Sequence, residues 1–122
     1  MKTILIVDDQ PEVRELVSVT LEVGTHRTLT AASGAEALEI ARREQPDLIL
    51  LDVMLPGGPD GIEVCRRLKS DAATQGIHIV MLTARGQERD RQNGFEAGAD
   101  DYFIKPFSPL QLIQKVEEVL GT

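Results

Sequence analysis

The sequence predicts an α/β domain in which helices cover both faces of a parallel β-sheet. Short apolar runs alternate with helix-like segments along the chain, which is the pattern of repeated β-α units. The run from Asp47 to Leu51 is apolar after its first residue and is bounded by prolines, as in strands buried on both faces. Four of the runs end on polar residues, at the edge where open α/β sheets bind their ligands.

The first β-α-β unit occupies the N-terminal quarter of the chain. A strand is expected from Thr3 to Val7, and a helix from near Pro11, because proline suits the first helical turn. Arg27 to Ala31 alternates polar and apolar residues, which indicates a strand at the edge of the sheet. The expected buried stripe of the first helix is Val13, Leu16, Val17, Thr20 and Leu21.

The remaining elements repeat this alternation. Ser33 and Glu36 predict a capping box at the start of the second helix, and Pro46 prevents that helix from continuing into the strand that Asp52 closes. The later elements are a helix over Gly61 to Ser70, a strand over Ile77 to Leu82, a helix over Gln87 to Ala97, a strand over Asp100 to Ile104 and a last helix capped by Ser108 before Pro109.

Composition limits the classes of function. A chain of 122 residues with 42% hydrophobic content can build the core of one domain. Its net charge of −7 argues against direct nucleic-acid binding through phosphate contacts. The one cysteine, Cys65, excludes an intrachain disulfide and is expected to be a packed core thiol. Neither a membrane-spanning run nor a signal peptide is recognisable, so we expect no membrane partner and a cytoplasmic location.

Polar side chains follow four of the five predicted strands. Asp8 and Asp9 follow the first strand, Asp52 the third, Thr83 the fourth and Lys105 the fifth. Parallel strands all run in one direction, so the predicted fold would gather these side chains at a single edge of the sheet. Each residue has an ordinary alternative: Asp9 could cap the first helix, Lys105 could be solvated, and Thr83 could bond the backbone. Their occurrence on four strand ends favours a common site.

The chemistry of this set points to phosphoryl transfer assisted by a divalent cation. Three neighbouring carboxylates repel one another unless a cation is bound, and oxygen ligands suit Mg²⁺ rather than zinc. Lys105 and Thr83 would each hold a phosphoryl oxygen, and an Asp52 oxygen would attack phosphorus to give an aspartyl phosphate. Pro106 restricts Lys105 to extended backbone geometry, and the sequence leaves open whether the bond between them is cis.

Four segments resemble the receiver domain of bacterial two-component response regulators, in the same order and spacing. They are Ile4 to Asp9, Leu50 to Pro56, Met81 to Arg85 and Gly98 to Phe107. The resemblance implies one receiver domain over residues 1–122, with a flavodoxin-like doubly wound (βα)5 fold and strand order 2-1-3-4-5. It also implies Mg²⁺-dependent transfer of a phosphoryl group onto Asp52 from the phosphohistidine of a sensor histidine kinase or a phosphotransfer protein.

The resemblance also assigns roles to individual residues. Thr83 and Lys105 would contact the phosphoryl group, and Tyr102 matches an aromatic switch position whose ring turns inward as the Thr83 hydroxyl moves. Packing is the alternative role for this tyrosine. The implied Mg²⁺ ligands are the side chains of Asp9 and Asp52, Asp8 mostly through water, and the backbone carbonyl of Met54.

Two departures from the family pattern bear on function. The loop from Pro56 to Gly61 is one residue longer than usual, with Pro59 where methionine is common; it is either a tolerated insertion or a change in partner contacts. Met54 and Arg85 occupy the positions that tune loss of the phosphoryl group, and neither can position an attacking water as a carboxylate or amide does. The sequence therefore predicts a long-lived phosphorylated state.

Signal output is expected through the fourth helix, fifth strand and fifth helix, toward an effector protein or an output domain absent from this chain. Mixed charges in residues 89–101 favour a weak homodimer through this face, whereas uncharged Leu110, Gln111 and Gln114 do not, so the homodimer stays open.

Three other classes of function fit these residues less well. A Mg²⁺-dependent phosphohydrolase would need an acid where Met54 stands. A constitutive binding module would have no need of the five polar site residues. A flavin binder would need a phosphate-binding loop after the first strand.

Overall fold

The apolar runs form five parallel strands in the computed structural model of the chain. It describes residues 1–22, 24, 26–84, 88–105 and 107–121, and for residues 88–91 the backbone only. The strands are β1 (Thr3–Val7), β2 (Arg27–Ala31), β3 (Leu48–Asp52), β4 (His78–Ala84) and β5 (Asp101–Lys105). Their order in the sheet is β2-β1-β3-β4-β5, which confirms the predicted doubly wound order.

Five helices in the described part of the chain connect and flank these strands. They are α1 (Pro11–Leu21), α2 (Gly34–Glu44), α3 (Gly61–Ser70), α4 (Glu88–Glu96) and α5 (Pro109–Leu120). No helix in the described part of the chain has the length and apolar character needed to cross a membrane.

The central strand is buried along its whole length, whereas the edge strand β2 is partly exposed, as its alternating sequence predicts. Successive side chains of a strand point to opposite faces, so the core divides in two. Leu5, Ile49 and Met81 pack on the face covered by α2, α3 and α4, together with the buried Cys65. The other face packs against α1 and α5. The prediction of a core thiol is therefore confirmed.

The starts of α1, α2, α3 and α5 follow the sequence with one correction, at α2, and the alternative of a cap by Asp9 is excluded; Gln87, the predicted start of α4, lies outside the described residues. Gln10, and not Asp9, is the residue before α1, and it makes no side-chain cap. Ser33 caps α2 by accepting the Glu36 N–H at 3.2 Å, but the Glu36 carboxylate accepts the N–H of Ala32 instead of that of Ser33. The predicted reciprocal box is therefore incomplete at α2. A complete one occurs at α5, where Ser108 caps the helix as predicted.

The ends of β4 and β5 differ from the prediction because pairing extends the strands. Thr83 and Ala84 pair with Ile104 and Lys105, so both strands continue into residues predicted to follow them. The predicted stripe of α1 is also wrong at Leu16, whose side chain is 54% exposed because the helix turns this position away from the core.

Candidate functional site

Three carboxylates lie together at the carboxyl ends of β1 and β3. Asp8 and Asp9 follow β1, and Asp52 is the last residue of β3. These strands are neighbours in register, with Val7 opposite Leu51, so their ends lie side by side. One oxygen of each aspartate lies within 4.8 Å of the others. Asp8 and Asp52 are buried, and Asp9 is exposed.

Asp8 is held from several sides. Its Oδ1 accepts the Gln10 N–H at 2.9 Å, and its Oδ2 accepts a proton of the Lys105 ammonium at 2.6 Å. Its own N–H donates to the carbonyl of Ala31 on the neighbouring strand, at 3.1 Å. The Asp8 carbonyl accepts from the Arg14 guanidinium at 2.7 Å. Both carboxylate oxygens are thus engaged, which suits a supporting role better than attack on a substrate.

Arg14 is a residue that the sequence analysis missed. It lies on the first turns of α1 and is half-buried, and its bond to Asp8 braces the backbone that carries the first two carboxylates. A charged residue beside the apolar stripe of an amphipathic helix gives little sequence signal of its own. Its position six residues after Asp8 is the sequence feature that could have indicated this contact.

Asp52 is oriented but not fully engaged. Its Oδ1 accepts the Met54 N–H at 3.0 Å, and its Oδ2 lies 3.6 Å from the Lys105 nitrogen. Burial raises the pKa of Asp52 to about 6, and the neighbouring Asp8 charge adds to the rise, whereas Lys105 opposes it. A bound cation would favour the ionised form of this carboxylate. Burial of this carboxylate lowers the stability of the fold, and ionisable groups in such positions are typically functional.

Lys105 lies at the end of β5 beside the carboxylates of Asp8, Asp9 and Asp52, which we call the acid cluster. Its ammonium contacts both Asp8 and Asp52, and its side chain is 22% exposed. The contact to Asp8 links residues 97 positions apart in the chain. Pro106 and Arg85 lie outside the described residues, so the isomer of the Lys105–Pro106 bond stays open, and the contribution of Arg85 to phosphate loss stays a prediction.

Thr83 and Tyr102 share one face of the sheet. Thr83 is buried one residue beyond Leu82, the register partner of Asp52, and its hydroxyl lies 3.5 Å from the carbonyl of Ala84. Tyr102 lies two positions before Ile104, the partner of Thr83, so both side chains point toward the α4 side. The Tyr102 ring is half-buried, with its centroid 5.2 Å from that of Phe95.

The loop after Asp52 is built tightly against the acceptor strand. The Gly61 N–H donates to the carbonyl of Val53 at 3.1 Å. A Cβ atom at Gly61 would lie 2.0 Å from the backbone oxygen of Asp52, so only glycine fits there without a shift of the main chain. Met54, in contrast, exposes 58% of its surface at the start of the loop. The sequence shows the glycine at the start of α3, but not this close approach.

The donor set fits a hard divalent cation. All the grouped ligand atoms are carboxylate oxygens, and burial together with the Asp8 charge raises the pKa of Asp52, a cost that a bound cation would relieve. An ammonium beside two carboxylates also provides one positive charge for an incoming anion.

Comparison with known proteins agrees with this geometry. Residues 4–117 match the sequence model of the family described as the response regulator receiver domain. The chain is 50% identical over 119 residues to the phosphate regulon transcriptional regulatory protein PhoB of Pseudomonas aeruginosa, covering 98% of this chain and 52% of PhoB. It is 44% identical over 120 residues to the regulator RpaA of Synechocystis, covering 98% of this chain and 49% of RpaA. The chain thus spans about half the length of these curated relatives.

Solved structures show the same fold. A putative response regulator from Chloroflexus aurantiacus superposes with a TM-score of 0.92 at 40% identity, covering 99% of this chain and 98% of that one. The chemotaxis response regulator CheY4 of Vibrio cholerae gives a TM-score of 0.90 at 33% identity, with 98% of each chain covered. Sequence, fold and the grouping of strand-end residues agree, and the chain belongs to the response regulator receiver domain family of two-component signalling.

Proposed function

We propose that this receiver accepts a phosphoryl group on Asp52 in a Mg²⁺-dependent reaction and thereby acts as a signalling switch. The observation that carries the proposal is the state of Asp52. This carboxylate is buried, has a raised pKa, is oriented by one N–H and lies within 3.6 Å of an ammonium. No structural need accounts for such a group at the end of an otherwise apolar strand.

The residues that would hold Mg²⁺ are those with oxygens available. Asp9 is exposed, and Asp52 Oδ2 makes only a long contact, so these two side chains would be direct ligands. Both Asp8 oxygens are engaged, which supports contact through water. The Met54 carbonyl is the fourth proposed ligand. When bound, Mg²⁺ supplies positive charge that offsets repulsion between the acceptor and the phosphoryl oxygens.

The transfer itself needs little from the protein beyond position and charge. An Asp52 oxygen attacks the phosphorus of a phosphohistidine, an O–P bond forms, the P–N bond breaks, and the imidazole leaves with its electron pair. The Met54 N–H fixes the rotation of the attacking carboxylate. Lys105, released in part from Asp8, would bind a phosphoryl oxygen, and the Thr83 hydroxyl would bind another.

The phosphoryl donor is proposed to be a sensor histidine kinase or a phosphotransfer protein. A groove of about 350 Å³ adjoins the site and is lined by Val13, Leu16, Lys105 and Phe107. Lys105 belongs to both the groove and the acid cluster, and Leu16 exposes apolar surface there. A donor helix seated in this groove would bring its histidine toward Asp52.

The switch is proposed to run through Thr83 and Tyr102, which lie on the same face of the sheet. Movement of the Thr83 hydroxyl toward the phosphoryl group would open space for the Tyr102 ring and change the surface of α4, β5 and α5. An effector protein or an output domain would read that surface; weak pairing with a second copy is an alternative use. We also propose a cytoplasmic location and no turnover of an external substrate.

Intact-mass measurement after incubation with acetyl phosphate tests the acceptor. We expect a phosphoryl adduct that needs Mg²⁺ and disappears with EDTA or in Asp52→Asn. The matched control is Asp47→Asn, because Asp47 is an exposed aspartate just before the opposite end of β3. An adduct that persists in Asp52→Asn would place the acceptor elsewhere. The absence of any adduct, under conditions that label another receiver, would favour a constitutive binding module.

A further inference from the structure

The surface between α2 and α3 differs in charge from the rest of this acidic chain. A groove of about 580 Å³ lies there, lined by Ala35, Leu38, Glu39, Arg42, Arg43, Pro59 and Arg67. We call it the α2–α3 groove. Three arginines face one glutamate in its lining, whereas the whole chain has a net charge of −7. A local excess of positive charge on such a chain calls for a partner of opposite sign.

The arginines of the groove are only partly neutralised from within. Arg43 lies 3.6 Å from Glu39, and Arg67 lies 3.4 Å from Glu63, both pairs at exposed positions where ion pairing is weak. Arg43 also contacts Glu44 at 3.0 Å. Arg42 makes no ion pair with any carboxylate in the described part of the chain. The groove therefore keeps cationic side chains with donors to spare.

The floor of the groove is apolar, and the wall that Pro59 forms packs against α2. Leu38 and Ala35 belong to α2, and Pro59 belongs to the long loop after the phosphoacceptor strand. The backbone oxygen of Pro59 packs directly on Gly34, where an added Cβ would lie 2.0 Å away. The loop is thus a built wall of the groove, because main chain meets main chain at that contact.

We propose that the α2–α3 groove binds an acidic segment of a partner protein, with carboxylates on Arg42 and Arg67 and an apolar side chain on Ala35 and Pro59. Charge complementarity selects the acidic partner, and the apolar floor selects a polypeptide with mixed side chains. A long nucleic acid fits less well, because the acidic remainder of the surface repels a continuous polyanion. The inference goes beyond phosphoryl transfer and does not depend on it.

Fluorescence anisotropy with a labelled peptide of repeating glutamate, glutamate and leucine units tests this docking. We expect saturable binding that weakens with added salt, and amide NMR shifts that cluster at Ala35, Leu38, Arg42 and Arg67. Arg42→Gln with Arg67→Gln should weaken binding by about fivefold to tenfold, because the variant loses two partly exposed ionic contacts. The glutamines keep the helical backbone and much of each side-chain stem.

The matched control is Lys2→Gln with Arg27→Gln, which removes the same charge from exposed positions outside the groove. This control should bind the peptide as the native protein does. Equal weakening in both variants, NMR shifts outside the groove, or tighter binding of a single-stranded oligonucleotide would each overturn the proposal. Phosphorylation by acetyl phosphate, followed in the same samples, reports separately on Asp52, so the two proposals can fail independently.

Discussion

Two regions of this receiver, the acid cluster and the α4–β5 face of the proposed switch, are packed in different ways. At the acid cluster, main chain meets main chain, since a Cβ at Gly61 would lie 2.0 Å from the Asp52 carbonyl oxygen. Between α4 and β5, main chain meets the end of a side chain, since a Cβ at Gly94 would lie 2.8 Å from the Tyr102 hydroxyl. The acid cluster is mostly buried, whereas Phe95 and Ile104 are 44% and 46% exposed.

In the proposed switch, this difference would separate chemistry from signalling in physical terms. A main-chain contact yields only if a strand or helix moves, and packed cores resist such movement. An aromatic ring beside solvent yields by rotating about its own side-chain bonds. The site can therefore hold its carboxylates in place while the α4–β5 face repacks at low cost in free energy.

The largest expected effect is that of Gly61→Ala. The added methyl group must displace the backbone of Asp52, so we expect a loss of about 3 kcal/mol in the free energy of unfolding and a sharp fall in adduct yield. Urea denaturation and intact mass measure the two effects. Gly76→Ala is the matched control, because Gly76 has open space around its Cβ position. If Gly61→Ala loses no more free energy of unfolding than Gly76→Ala, the loop adapts to the added methyl group. The two regions would then not differ in rigidity.

The second-largest expected effect is that of Asp52→Asn on the free energy of unfolding, measured in EDTA. The pKa of Asp52 is raised from 3.8 to about 6, so the folded state binds more protons between these values, and stability falls as pH rises through them. Removing the charge should therefore raise the free energy of unfolding at pH 7 by about 1–2 kcal/mol, a figure reduced for screening by solvent. The gain should vanish as pH falls to about 4.

Denaturation curves of native protein, Asp52→Asn and Asp47→Asn across this pH range test the prediction. Added Mg²⁺ should stabilise the native protein and leave Asp52→Asn nearly unchanged, because the variant lacks one proposed ligand. If Asp52→Asn is less stable than the native protein at pH 7 without metal, then the contact with Lys105 outweighs burial. The contact between Asp52 and Lys105 would then be a stabilising ion pair.

The smallest expected effect is that of Gly94→Ala. Alanine favours the helix by up to about 1 kcal/mol, and the Tyr102 ring moves to make room, so the net change in the free energy of unfolding should stay below about 1 kcal/mol. The chain has one tyrosine and no tryptophan, so its intrinsic fluorescence reports on Tyr102 alone. We expect altered tyrosine emission with unchanged adduct yield. A loss comparable to that of Gly61→Ala would mean that this face is as rigid as the acid cluster.

Much of this protein follows from local sequence. The run before Asp52 forms the buried central strand, and Ser108 with Pro109 starts the last helix, because burial periodicity and helix capping act over a few residues. The positions of Asp8, Asp9, Asp52 and Lys105 at strand ends also predict their meeting at one edge, since parallel strands share a direction. Local signals failed at Glu36, whose carboxylate bonds Ala32, and at Leu16, which faces outward.

Tertiary structure alone decided how the site is held. The sequence predicts that Lys105 and Asp8 belong to the site. Their 2.6 Å contact, however, depends on the register of four strands lying side by side. The bracing of Asp8 by Arg14, the close approach of Gly61 to Asp52 and the raised pKa of Asp52 likewise come from packing between distant segments. Residue type and spacing determine which groups are present, whereas desolvation and short-range contacts depend on distances that only the folded chain defines.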